Sequence, residues 1–333
     1  MFFSFLNKFF FFLNKYCIRH DSFTVKNMKK RNRKRRFIPS ECNHVYQRSD
    51  RGCNIFYDDE DYLLCFMILS VFARKHKIKL LKICFMVDHV HILLEAESCE
   101  HMSAFVRDYT SAFVMEYNTS IGRSGRLFYK SFGSAPKQGD KKMRSVIVYI
   151  GNNPVEKGMC RYAEEYRWNF IRYMLPRGMQ QKKVRANRAS RKLLRCFKRV
   201  KAAAKSGAYM NYTQLYDMFS DLNEVEREYL VDSIIMAYYP FDDDCILGLY
   251  DDWQQVINAM HSTAGSEYDL KEKWYSKSDE IYMKISSYVR DTLKIWPIRN
   301  VLKLSFEQKN LLAVELKLNT GASDYEVRKF LHL

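Results

Sequence analysis

Between residues 40 and 158 the spacing of apolar side chains changes period several times, and each change marks an element. Asn43–Arg48 (NHVYQR) reads as a strand, followed by a loop with Gly52. Asp58, Asp59, Glu60 and Asp61 then load the first turn of a helix, where carboxylates suit the positive end of the dipole. Leu63, Leu64, Phe66, Met67, Leu69, Val71 and Phe72 carry that helix to about Lys75. Residues 78–95 (IKLLKICFMVDHVHILLE) are apolar and β-branched, and a break near Val87-Asp88 divides them into two strands. Met102, Phe105, Val106, Tyr109, Phe113 and Tyr117 recur at helical spacing up to Gly122. A short apolar stretch at 127–132 predicts one more strand, and a helix runs from about Lys141 through Tyr149, closing around Gly158. This order predicts an α+β domain with helices laid against an antiparallel sheet.

The pattern shifts at Pro176. Residues 177–205 hold twelve Lys/Arg and no Asp or Glu, a basic linker or helix, and the chain beyond 206 reads as helical. Its end predicts helix, tight turn, helix, with Ser305/Gln308 and Ser323/Glu326 as capping boxes on either side of Thr320-Gly321-Ala322. A terminal helix-turn-helix able to read DNA and a small packing element both fit this pattern. Residues 1–36 form a tail, Phe-rich at first and then basic, with eight cationic side chains in the eleven positions 26–36. The Phe-rich run is broken by Asn7 and Lys8 and is shorter than the ~20 apolar residues of a membrane span, so no stable membrane insertion is expected. An over-extended start, with translation beginning at Met28, is the plainer reading.

Composition adds a partner. The 333 residues carry 55 Lys+Arg against 38 Asp+Glu, a net charge of +17, which points to a polyanion: nucleic acid first, an acidic membrane surface second. With 47% hydrophobic residues the chain is not a mostly disordered one. Nine scattered cysteines without a CxxC pair exclude a disulfide framework or zinc ribbon and fit a reducing cytoplasm.

Two constellations could carry chemistry. In His89-Val90-His91 the imidazoles alternate with one residue between them, so on a strand they share a face and can grip one divalent metal. Buried or surface histidines without a ligand are the alternative. In Tyr149-Ile150-Gly151-Asn152-Asn153-Pro154, Tyr149 and Asn153 stand at i and i+4 on one helical face. Asn153 offers a neutral oxygen, and a nitrogen-plus-oxygen set suits Mg²⁺ or Mn²⁺ better than a thiolate-rich site would. Tyr149 could equally be one of 23 tyrosines packing a core.

Six blocks resemble a known family when taken in order: Cys42–Arg48 (CNHVYQR), Phe56–Asp61 (FYDDED), Cys84–Glu95 (CFMVDHVHILLE), Gly125–Phe132 (GRLFYKSF), Tyr149–Gly158 (YIGNNPVEKG) and Tyr166–Tyr173 (YRWNFIRY). The family is that of REP-associated tyrosine transposases, which are HUH single-tyrosine transposases of the insertion-sequence type. The resemblance covers residues 37–175, about two-fifths of the chain. Val87-Asp88 stands where that family usually has Pro-Asn, and Gly151 and Glu156 replace its common His and Arg. Relaxases place the tyrosine before the histidine pair and many rolling-circle initiators carry two on that helix; here a single tyrosine follows the pair by 58 residues.

The resemblance implies a ferredoxin-like antiparallel sheet with helices on one face, followed by a mostly helical C-terminal region at 206–333. It implies an enzyme that nicks and rejoins single-stranded DNA beside hairpins or palindromic repeats. His89, His91 and Asn153 would hold Mg²⁺ or Mn²⁺, Tyr149 would be the nucleophile, and a 5′-phosphotyrosine would store the bond energy so that no nucleotide cofactor is needed. His44, Arg48, Arg126, Lys130, Lys141 and Lys142 are the expected DNA contacts, and Phe128, Tyr129 and Phe132 either stack bases or pack a core. A cytoplasmic, nucleoid-associated monomer or homodimer is expected. The competing classes are a catalytically inactive DNA-binding regulator with the same fold and a membrane-surface protein using the N-terminal tail.

Overall fold

In the first strand, β1 (Cys42–Arg48), Val45 and Gln47 point to one side while His44, Tyr46 and Arg48 point to the other, and this alternation organises the fold. The computed structural model describes residues 36–129, 132–176, 189–262 and 278–333. The readings for the 1–35 tail, Lys130 and the basic run at 177–188 lie outside the described residues.

The chain continues through α1 (Asp59–Lys75), β2 (Lys79–Phe85), β3 (His89–Glu95), α2 (Cys99–Ile121), β4 (Gly133–Lys137) and α3 (Gly139–Glu156). The four strands form one antiparallel sheet in the order β2-β3-β1-β4, the βαββαβ arrangement of a ferredoxin-like domain. Phe56, Phe85 and Phe113 stack in the layer between α1, α2 and the sheet face that carries Val45 and Val90. Gln47 reaches Thr110 of α2 on that same face, at 3.0 Å. These are the helices expected on one face; α3 crosses the opposite one, where Tyr149 meets His44 and His91.

The fourth strand lies past the apolar stretch that predicted it. Leu127, Phe128 and Phe132 are buried as a plug, Phe128 against Phe113, and the strand is Gly133–Lys137 (GSAPK). An edge strand tolerates Pro136, and Gly133 lies under the Tyr46 ring where any Cβ would overlap it.

Beyond the sheet the chain is helical: α4 (Arg191–Ser206), α5 (Tyr212–Phe219), α6 (Glu224–Ala237), α7 (Trp253–Ser262), α8 (Glu280–Ser287), α9 (Phe306–Thr320) and α10 (Asp324–Leu331). Both terminal capping boxes form, on Ser305 and Ser323. The described residues form one compact unit. A second apolar cluster joins Tyr282, Ile285, Val301, Leu316, Val327 and Phe330 to Tyr57 and Val87 of the sheet region. The acidic turn at the start of α1 is the anchor. Asp58 accepts the backbone N–H groups of Ile298 and Arg299 (3.0 and 3.2 Å), and Asp61 pairs with the Arg299 guanidinium at 2.6 Å. The dipole argument located these carboxylates; their burial and their cation 238 residues away were outside its reach. The second helix of the terminal pair is seated on the sheet region, with Tyr57 Oη donating to the Phe330 carbonyl at 2.5 Å.

Candidate active site

Strand β3 and helix α3 bring the chemical residues together within one chain. His89 and His91 share a strand face, with ring centroids 4.9 Å apart and planes at 88°. One turn of α3 lays Tyr149 and Asn153 over them: the Tyr149 ring lies edge-on to His91 at 5.5 Å and to His44 at 5.8 Å. Asn153 bridges the pair, its Oδ1 3.3 Å from His89 Nε2 and its Nδ2 donating to His91 Nε2 at 3.3 Å. Asn153 and His91 are fully buried, and Tyr149 and His89 are only 3% and 8% exposed.

Each imidazole is held from behind. His89 Nδ1 shares a 2.5 Å hydrogen bond with Asp88 Oδ1, which turns Nε2 toward Asn153 Oδ1. His91 Nδ1 shares a 2.9 Å hydrogen bond with His44 Nε2, so His44 orients a candidate ligand. Burial keeps His91 and His44 well below the usual imidazole range, and neighbouring basic groups further oppose a charge there: the other two imidazoles and Arg48 beside His91, Lys137 beside His44. Neutral imidazoles are the form that ligates a metal. Burial opposes ionisation of Asp88, but Lys329 and His89 outweigh it and hold the carboxyl well below the ordinary range. Lys329 Nζ lies 2.8 Å from Asp88 Oδ2.

The residues present fit a hard divalent ion. Ligand atoms about 2.1 Å from Mg²⁺ in an octahedral shell stand about 3.0 Å from one another, near the 3.3 Å between His89 Nε2 and Asn153 Oδ1. Among the described residues no group of three or more His, Cys, Asp or Glu could hold an ion; this set is two imidazoles and an amide.

Residues 45–153 match the family model described as transposase IS200 like. This segment is similar to IS200-like transposases. The matched span contains His89, His91, Tyr149 and Asn153. A likeness is also found to a solved structure titled as that of a REP-associated tyrosine transposase bound to a REP hairpin, at TM-score 0.39 and 15% identity, over 46% of this chain and 93% of that one. No curated protein matches.

Around the candidate site, Arg48 stands opposite His89 in the β1–β3 register and is half-buried. Arg126, Lys141 and Lys142 are exposed, whereas His44 is fully buried against His91 and lacks the exposure expected of a DNA contact. Phe128 and Phe132 are core residues, and Tyr129 is 54% exposed. Asp88 and Lys329 were not singled out from sequence. The signal for the first was an acid directly before the histidine pair; nothing local pointed to the second. No helix among the described residues is long and apolar enough to cross a membrane.

Proposed function

We propose that this chain is a single-strand DNA nicking and joining enzyme in which Tyr149 is the nucleophile and His89, His91 and Asn153 hold Mg²⁺ or Mn²⁺. The observation that carries the reading is the delivery of Tyr149 and Asn153, one helical turn apart, onto the buried imidazole pair of the same chain. Bound there, the ion would supply positive charge to a scissile phosphate. Tyr149 Oη would bond to phosphorus as the P–O3′ bond breaks, leaving a 5′-phosphotyrosine and a free 3′-OH. A free phenol has a pKa near 10, so its proton must leave during attack. His44 and Asp88 keep the two rings oriented throughout, and the edge-on packing of Tyr149 limits the directions its hydroxyl can take. The reverse attack, by the 3′-OH of a second strand, rejoins DNA without ATP. Hairpin or palindromic repeats are the proposed target. Arg48, Arg126, Lys141 and Lys142 are the proposed phosphate contacts, the last three lying exposed on the loop before β4 and the first turn of α3.

The test incubates the protein with a library of hairpin-bearing single strands and Mn²⁺, then looks for a covalent protein–DNA adduct. Tyr149→Phe is expected to abolish the adduct with DNA affinity changed less than about threefold. Absence of any adduct from the wild type across the library, with binding retained, would favour the inactive regulator instead.

A further inference from the structure

The C-terminal helix α10 places one side chain inside the sheet region, directly behind the candidate metal ligands. Lys329 is 5% exposed, its ammonium 2.8 Å from Asp88 Oδ2 and 4.7 Å from the centre of the Tyr282 ring. The other oxygen of Asp88 holds His89 Nδ1 at 2.5 Å. Carboxylate, imidazole and ammonium thus form a chain from the last helix to the site, spanning 241 residues of sequence. Backbone contacts fix the far end: Asn54 N–H donates to the Lys329 carbonyl at 3.2 Å, and His332 Nε2 donates to the Asn54 carbonyl at 2.6 Å.

We infer that Lys329 is a positioning residue for metal binding: by pinning one oxygen of Asp88 it aims the other at His89 Nδ1, and so presents His89 Nε2 to the ion. This rests on the reading of His89 as a ligand. A buried carboxylate with only one partner would be free to rotate about its Cβ–Cγ bond and to pull the ring with it. Bridged at both oxygens, it has one orientation. Partners behind a ligating histidine typically change metal affinity 10–100-fold when removed. The helical C-terminal region is then part of the metal site rather than an appendage to it.

The experiment measures Mn²⁺ affinity of the full chain by electron paramagnetic resonance, and adduct formation as a function of Mn²⁺ concentration. Lys329→Met keeps the length and removes the charge. It is expected to weaken Mn²⁺ binding 10–100-fold, with the adduct rate recovered at saturating Mn²⁺, a split that a general loss of fold would not produce. Lys329→Met leaves Asp88 buried with one partner and could lower stability, so Asp88→Asn and the double variant are measured beside it. In the Asp88→Asn background, Lys329→Met should weaken binding less than threefold further, because its route to the metal runs through Asp88. A folded Lys329→Met that binds Mn²⁺ within twofold of wild type overturns the inference alone, as does a full additional loss in the Asp88→Asn background. A wild type whose Mn²⁺ binding is unchanged by His89→Ala removes the ligand reading, and this inference with it.

Discussion

Single side chains in this molecule are chosen less for their own neighbourhood than for what arrives from far along the chain. His332 shows it. Burial, with Arg123 and Lys309 nearby, pulls its pKa down from 6.5 to about 4, against a raising contribution from its bond to the Asn54 carbonyl. The sign follows directly. The unfolded chain takes up this proton near pH 6.5 and the folded chain only near 4, so His332 favours the fold above pH 6.5 and that contribution is lost as pH falls through 4. The penalty at pH 4.5 is on the order of 2 kcal/mol. His332→Gln keeps a donor for Asn54 but cannot titrate. Its urea midpoint should therefore drop less between pH 7 and 4.5 than that of the wild type. Equal drops would show that this histidine titrates as freely in the fold as outside it.

Helices and strands were legible wherever one face of an element is buried against a continuous partner, because burial imposes a period on the sequence. The limits of α1, β2, β3 and α2 were readable for that reason, and so were the shared faces of His89/His91 and Tyr149/Asn153, which are set by spacings of two and four residues. The limits of β4 were not. GSAPK has no alternation, and it is a strand because Gly133 fits beneath Tyr46 and the edge position tolerates Pro136. Lys329 was hidden for a different reason: nothing within ten residues of it distinguishes a buried partner of Asp88 from another exposed cation. Gly151 is a place where two helices approach closely. A Cβ there would lie 2.8 Å from Met260 Cε and 2.9 Å from its Sδ, and the next residue, Asn152, donates to the Met260 carbonyl at 2.7 Å. Helix α7 packs on α3 two residues past Tyr149, where the absence of a side chain leaves room for Met260. Gly151→His should cost about 1–3 kcal/mol by overpacking. Combined with Met260→Ala it should cost less than the two single losses added together. Additive losses in urea unfolding would mean that the two helices do not share this contact.

Three of the four departures from the resembling family's usual motif face the helical region: Val87 lies in the apolar cluster of α8 to α10, Asp88 meets Lys329, and Gly151 meets Met260. The sheet and the later helices are therefore fitted to one another, which bears on how the protein unfolds. Their junction is the Asp61–Arg299 pair, 0% and 1% exposed at the side chains. Asp61 also accepts from Tyr212 Oη at 2.8 Å, and the guanidinium lies 3.5 Å from the centre of the Tyr212 ring and donates to Ser120 Oγ. Such a pair adds modestly when intact, because desolvation offsets most of its Coulomb attraction, but removing one partner strands a buried charge and costs about 3–5 kcal/mol. Arg299→Met should show a loss of this size, and Asp61→Asn in the same chain should restore part of it by removing the stranded carboxylate. Trp168, stacked on Tyr62 at 4.4 Å, and Trp296, edge-on to Tyr216 at 6.0 Å, lie on the two sides of this junction. Wild-type unfolding in urea should thus follow one curve by tryptophan fluorescence and by helical circular dichroism, as cooperative units do. Arg299→Met should shift that curve to lower urea or split it in two, with fluorescence and circular dichroism no longer coinciding. Two separate transitions already present in the wild type would mean that sheet and helices fold independently. Asp58 and Asp61 would then serve only as the helix cap that their sequence pattern predicts.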